Sequence, residues 1–101
     1  MYYLYFLYSA DADKFYVGHS SDPWRRFFQH LNNSKDKFTG RYNDWVLSAV
    51  FLVSSIKGDA EKVEKFIKRQ KSRNLIHKML DKDFVGIGIL AQLVRVPHVR
   101  D

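Results

Sequence analysis

Five residues of this 101-residue chain have side chains suited to phosphate and proton chemistry. The phenols of Tyr5 and Tyr16 can bind or deprotonate a water, or orient a phosphate, if both point at one site. Arg26 and His30 stand four residues apart. A guanidinium there can grip a phosphate through two N–H groups, and an imidazole one turn away can exchange a proton near neutral pH. Glu64 borders the apolar stripe of Ala60 and Ile67 on a lysine-rich segment. A carboxylate so placed can hold one hard divalent cation, such as Mg²⁺, with water and phosphate filling the other positions. Each residue also has a plainer reading. The tyrosines can form a cross-strand aromatic pair, Arg26 and His30 a solvated helix face, and Glu64 an i,i+4 pair with Lys68. His19, His77 and His98 lack zinc spacing and take no role.

These groups need short elements to position them. YYLYFLYS is too short for a buried helix and predicts a strand from Tyr2 to Tyr8. KFYVGH predicts its hairpin partner, ending at Gly18, where a bulge or close backbone approach is expected. Asp22-Pro23 starts a helix, with Asp22 as the cap and Pro23 at the first helical position. Trp24, Phe27, Phe28 and Leu31 give that helix one apolar face, and Arg26 and His30 share another. A polar loop carrying Lys35, Lys37 and Arg41 leads to WVLSAVFLV, apolar enough to be a central strand. Asp59 to Leu80 is helical by pattern. Its two stripes are out of phase, so a bend or a second helix is expected near Ser72.

Composition narrows the partner. One domain's length and a 46% apolar share predict a globular fold with a single modest core. Seventeen Lys and Arg against eleven Asp and Glu leave a net charge of +6, which favours a polyanion or an anionic surface. Lys14, Lys37, Arg41, Lys68 and Lys71 are the basic residues expected to meet a phosphate backbone. A membrane surface fits less well, because the basic residues do not flank a long amphipathic apolar helix. The absence of cysteine excludes disulfides and suits a reducing compartment, so a cytoplasmic location is expected. The apolar N-terminus lacks the basic region and cleavage site of a signal peptide.

Read in order, the residues form a pattern. It runs Tyr3-Leu4-Tyr5, then Tyr16-Val17-Gly18, Asp22, Arg26 four residues on, His30 four beyond, and Glu64 on a later helix. With the segments DKFYVG, KFT and IKRQKSR, this order resembles the GIY-YIG nuclease family, in particular its small single-domain bacterial members. The resemblance covers Met1 to Leu80. It implies an α+β fold, with a small three-stranded antiparallel sheet flanked by helices. It also implies hydrolysis of phosphodiester bonds in DNA with one Mg²⁺ or Mn²⁺ ion. Tyr5 and Tyr16 match the family's two tyrosines. Arg26, His30 and Glu64 match its arginine, histidine and metal-binding glutamate, and Gly18 matches the glycine that lets backbone approach the site. In the implied mechanism Tyr5, or failing that Tyr16, helps deprotonate a water, Arg26 neutralises the phosphate, and His30 relays a proton. The alternative is a catalytically silent nucleic-acid-binding module of the same fold. The chain departs from the pattern in having Tyr3 in place of the first glycine, His19-Ser20 after Gly18, and Pro23-Trp24 in the helix. Asn74 is a poor match for the late asparagine of some members.

Residues 81–101 lie beyond the resemblance and are expected to form a tail outside the domain of residues 1–80. The string AQLVR can be encoded by a sequence resembling the D-arm of a transfer-RNA gene. This raises the expectation of a frame that reads into such a gene, with a poorly packed end that exposes Ile89, Leu90, Leu93 and Val94; the alternative is an ordinary C-terminal strand or helix that caps the apolar core.

Overall fold

The computed structural model describes residues 1–32 and 44–97. The chain order is β1 (Tyr2–Ser9), β2 (Lys14–Ser20), α1 (Pro23–Asn32), β3 (Val46–Ser54), α2 (Lys57–Gln70), α3 (Arg73–Leu80) and β4 (Val94–Val96), with one 3-10 turn at Gly88–Leu90. The sheet is antiparallel with strand order β2-β1-β3-β4. The α+β class is as expected, but the sheet has four strands rather than three. β3 is apolar on both faces and so sits inside the sheet, and it does so only because β4 pairs with its outer edge at Val50, Phe51 and Leu52.

Strand alternation sorts β1 between two layers. Leu4 and Phe6 point to a core shared with Val17, Ala49, Phe51 and the buried stripe of α2, Ala60, Val63 and Ile67. Tyr5 and Leu7 point to the other face, where Tyr16, Trp24, Phe27 and Trp45 gather. α1 therefore covers one face of the sheet, and α2 and α3 the other. β2, paired only with β1, forms the sheet edge between the two layers.

The helix boundaries follow local chemistry. Asp22 Oδ1 accepts from the Arg25 backbone N–H at 3.1 Å, the expected cap of α1. Ser72 Oγ accepts from Leu75 N at 3.1 Å and starts α3, after Lys71 ends α2 in the left-handed region. The face of α1 differs from expectation. Phe28 is 66% exposed and Leu31 is also exposed, whereas His30 is buried. The inward stripe is Pro23, Phe27 and His30, at i, i+4 and i+7. A polar residue can end that stripe because the opposing strand supplies a hydrogen-bond partner.

The tail also differs from expectation. Leu90 is buried, Phe84 and Leu93 pack on the α2-side core, and Arg95 Nη1 donates to the Leu80 carbonyl at 2.6 Å. Ile89 and Val94 are exposed as expected, with Val85 and Ile87 more so. Residues 81–97 thus lie against the sheet rather than apart from it. Truncation after Leu80 should uncover the edge of β3 and empty the Leu90 site. Losing one buried leucine alone costs about 2 kcal/mol or more, or roughly 10 °C of melting temperature in a domain of this size. A thermal melt of the truncated chain checks this, and an unchanged midpoint would mean the tail contributes nothing.

Candidate active site

The site forms around the β2 edge from both layers. On the α1 side, the register pairs Tyr5 with Gly18, and the Tyr5 ring lies across that glycine. A Cβ at Gly18 would fall 2.6 Å from the Tyr5 hydroxyl and 2.7 Å from Cζ. Gly18 was expected to let backbone approach the site. In the structure it clears the space that the Tyr5 phenol fills. The Tyr5 hydroxyl is then 3.1 Å from His30 Nε2, in a hydrogen bond closed off from solvent. Tyr5 is 1% exposed and His30 2%.

Tyr16 stands beside this pair. Its ring meets His30 edge-on with centroids 4.8 Å apart, and lies 6.2 Å from the Tyr5 ring. Burial pushes the Tyr5 phenol well above its ordinary pKa, and the neighbouring Tyr16 adds to the rise; the Arg26 guanidinium opposes it. Tyr5 therefore stays a neutral phenol, able to donate its proton. Arg26 itself is exposed, and its Nη1 reaches Gln29 Oε1 at 3.3 Å. An open groove lined by Ser20, Ser21, Asp22, Arg25, Arg26 and Gln29 leads away along the first turn of α1.

Glu64 arrives from the opposite layer. It is half-buried on α2, and its Oε2 accepts from Lys68 Nζ at 3.1 Å. The i,i+4 pair is therefore present, and it also connects to the site, because the same Lys68 ammonium lies 5.8 Å from the Tyr16 ring centroid. Glu64 Oε1 is 2.9 Å from His19 Nδ1. Reading the sequence gave His19 no role. Strand alternation was the available signal, since His19 shares the α2-facing side of β2 with Val17.

Among the described residues, no group of three or more His, Asp and Glu side chains is placed to hold a metal ion. One half-buried carboxylate fits a hard divalent cation as a single ligand, provided water and substrate phosphate supply the remaining oxygens, as Mg²⁺ accepts. Of the expected nucleic-acid contacts, Lys68 is at the site. Lys71 is exposed at the end of α2, and Lys14 is exposed at the far end of β2. Lys37 and Arg41 lie outside the described residues.

Residues 1–77 match the family model described as the GIY-YIG catalytic domain. No curated protein and no solved structure matches the chain. Among the described residues, no helix is long and apolar enough to cross a membrane.

The contact between Gly18 and Tyr5 leads to a direct test. Gly18→Ala should force the phenol off His30 and destabilise the fold by about 1–3 kcal/mol, the usual cost of overpacking. Thermal melts combined with the NMR shifts of His30 check both effects. A variant as stable as the parent, with an unmoved His30 ring, would show that the space at Gly18 is not needed.

Proposed function

The chain belongs to the GIY-YIG nuclease family, and on that footing we propose that it is a divalent-metal-dependent endonuclease that hydrolyses phosphodiester bonds in DNA. The observation that carries this reading is the meeting of Tyr5, Tyr16, Arg26 and His30 with Glu64 around a single strand edge. The net charge of +6 supports a nucleic-acid substrate, and the exposed Lys68 and Lys71 extend basic surface from the site along α2.

The proton path follows from the buried pair. A phenolate at Tyr5 is disfavoured by burial, so Tyr5 serves as a relay. In the free chain its oxygen is buried; with substrate bound at Arg26, it takes a proton from the attacking water as its own proton passes to His30 Nε2. Tyr16, half-buried and nearer the edge, orients the water or the phosphate. Arg26 neutralises the charge that develops on the phosphate oxygens. Glu64 is the ligand for one Mg²⁺ or Mn²⁺ ion. When bound, that ion would polarise the phosphate and stabilise the leaving oxygen. The hydroxyl made from water forms the new P–O bond, and the bond to the leaving sugar oxygen breaks.

A panel of branched, nicked and single-stranded DNAs, with RNA alongside, tests the reading. The expected result is cleavage with Mg²⁺ or Mn²⁺ and none with chelator. Binding without cleavage across the whole panel would favour the silent nucleic-acid-binding module instead. Glu64→Ala should abolish cleavage while the fold and DNA binding persist. Arg26→Ala should slow single-turnover cleavage by about 10²–10³-fold, the scale of one lost transition-state donor. Arg25→Ala should slow it far less, since Arg26 is the arginine acting on the Tyr5 hydroxyl. Equal losses in the two arginine variants would contradict the assignment.

A further inference from the structure

We propose that His19 is the positioning residue for Glu64. It holds one carboxylate oxygen so that the other is presented to the metal ion, while Lys68 keeps that second oxygen occupied until the ion arrives. The inference rests on the reading of Glu64 as the metal ligand.

Both oxygens of Glu64 are engaged, but by unequal partners. His19 Nδ1 lies 2.9 Å from Oε1, and Lys68 Nζ lies 3.1 Å from Oε2. A hydrogen bond between a ring nitrogen and a carboxylate requires the hydrogen on the nitrogen, so Nδ1 donates to Glu64. The His19 backbone is fixed within β2, paired with Leu4 across the hairpin. Its side chain is 21% exposed, close to the 18% of Glu64, whereas the Lys68 side chain is 52% exposed. The lysine ends a long, flexible stem on the solvent side and loses little by leaving. The histidine has a short side chain on a rigid strand. Lys68 would therefore give way to a cation bound at Glu64, and His19 would stay in place.

The consequence is a division of labour between two hydrogen-bond donors on one carboxylate. The Lys68 ammonium also lies over the Tyr16 ring, so Oε2 is the oxygen that shares a partner with the phenol side of the site. Once released, the ammonium stands beside that site, free to meet a substrate phosphate. His19 cannot follow it without breaking the strand register. The second ring nitrogen, Nε2, lies 4.0 Å from Glu61 Oε1, beyond hydrogen-bond distance, so the short contact of the imidazole is the one from Nδ1 to Glu64.

Hydrogen-bond partners of ligating carboxylates tune metal affinity, and their loss typically costs 10–100-fold. The test measures Mn²⁺ binding to the full chain with an uncleavable phosphorothioate DNA bound, above that of the DNA alone, through the free-ion electron paramagnetic resonance signal. Circular dichroism establishes that each variant is folded. His19→Ala should weaken Mn²⁺ binding about tenfold or more. His19→Asn places an amide N–H near the position of Nδ1 and should recover most of that loss. Lys68→Gln should bind Mn²⁺ as tightly as the parent or more tightly.

Three outcomes would overturn the proposal. Parent-like binding in His19→Ala, with Glu64→Gln binding abolished, would remove the role of His19 while leaving Glu64 as the ligand. His19→Asn as weak as His19→Ala would make the imidazole a ligand itself rather than a positioning group. Absence of Mn²⁺ binding in the parent chain would overturn the metal reading, and this inference with it.

Discussion

The hydrogen bond between the Tyr5 hydroxyl and His30 Nε2, 3.1 Å long and sealed from solvent, constrains much of the surrounding structure. Polar groups withdrawn from water must be paired, since an unsatisfied one costs roughly 1–3 kcal/mol. No buried side-chain nitrogen or oxygen among the described residues lacks a partner. Meeting that demand here sets three other features. Gly18 must lack a side chain where the phenol crosses β2. α1 must start at its Asp22 cap so that its eighth residue faces inward. The Tyr16 ring must stand edge-on to the imidazole.

The location of this bond at an edge strand matters for chemistry. An interior strand is covered by helices on both faces and has neighbours on both sides. Among the described residues β2 has a neighbour only at β1, so side chains from the two layers can meet around its other side. The phenols, imidazole and guanidinium come from one layer, and the carboxylate from the other. Lys68 bridges them, holding Glu64 at 3.1 Å while lying over Tyr16. A substrate phosphate at such an edge can be approached from both faces, with basic surface on α2 beside it. The four-strand order sets this edge apart from the other, where β4 carries Val94 in the open.

How far these features can be read from the sequence depends on whether local chemistry decides them. The Asp22-Pro23 start of α1 and the Ser72 start of α3 are decided by side chains next to the backbone groups they cap, and both were legible. The burial of His30 in preference to Leu31 was not, because it depends on a phenol twenty-five residues away. β4 stayed open between a strand, a helix and an unpacked end because three residues give too short a pattern to decide, and its partner, β3, is remote in the chain. His19 was passed over because it was tested for zinc spacing, whereas its contact is one carboxylate forty-five residues away. The order of Tyr5, Tyr16, Arg26, His30 and Glu64 was legible as a set. Their gathering at one strand edge came only from the sheet order.

If Tyr5 and His30 share one proton path, they act as one unit through their hydrogen bond. A double-mutant cycle on single-turnover DNA cleavage tests it most directly, comparing Tyr5→Phe, His30→Ala and the combined variant. Residues that share one proton path are strongly non-additive. The combined variant should cleave no more slowly than the slower of the two single variants. Rate losses that multiply, as for two independent groups, would contradict it.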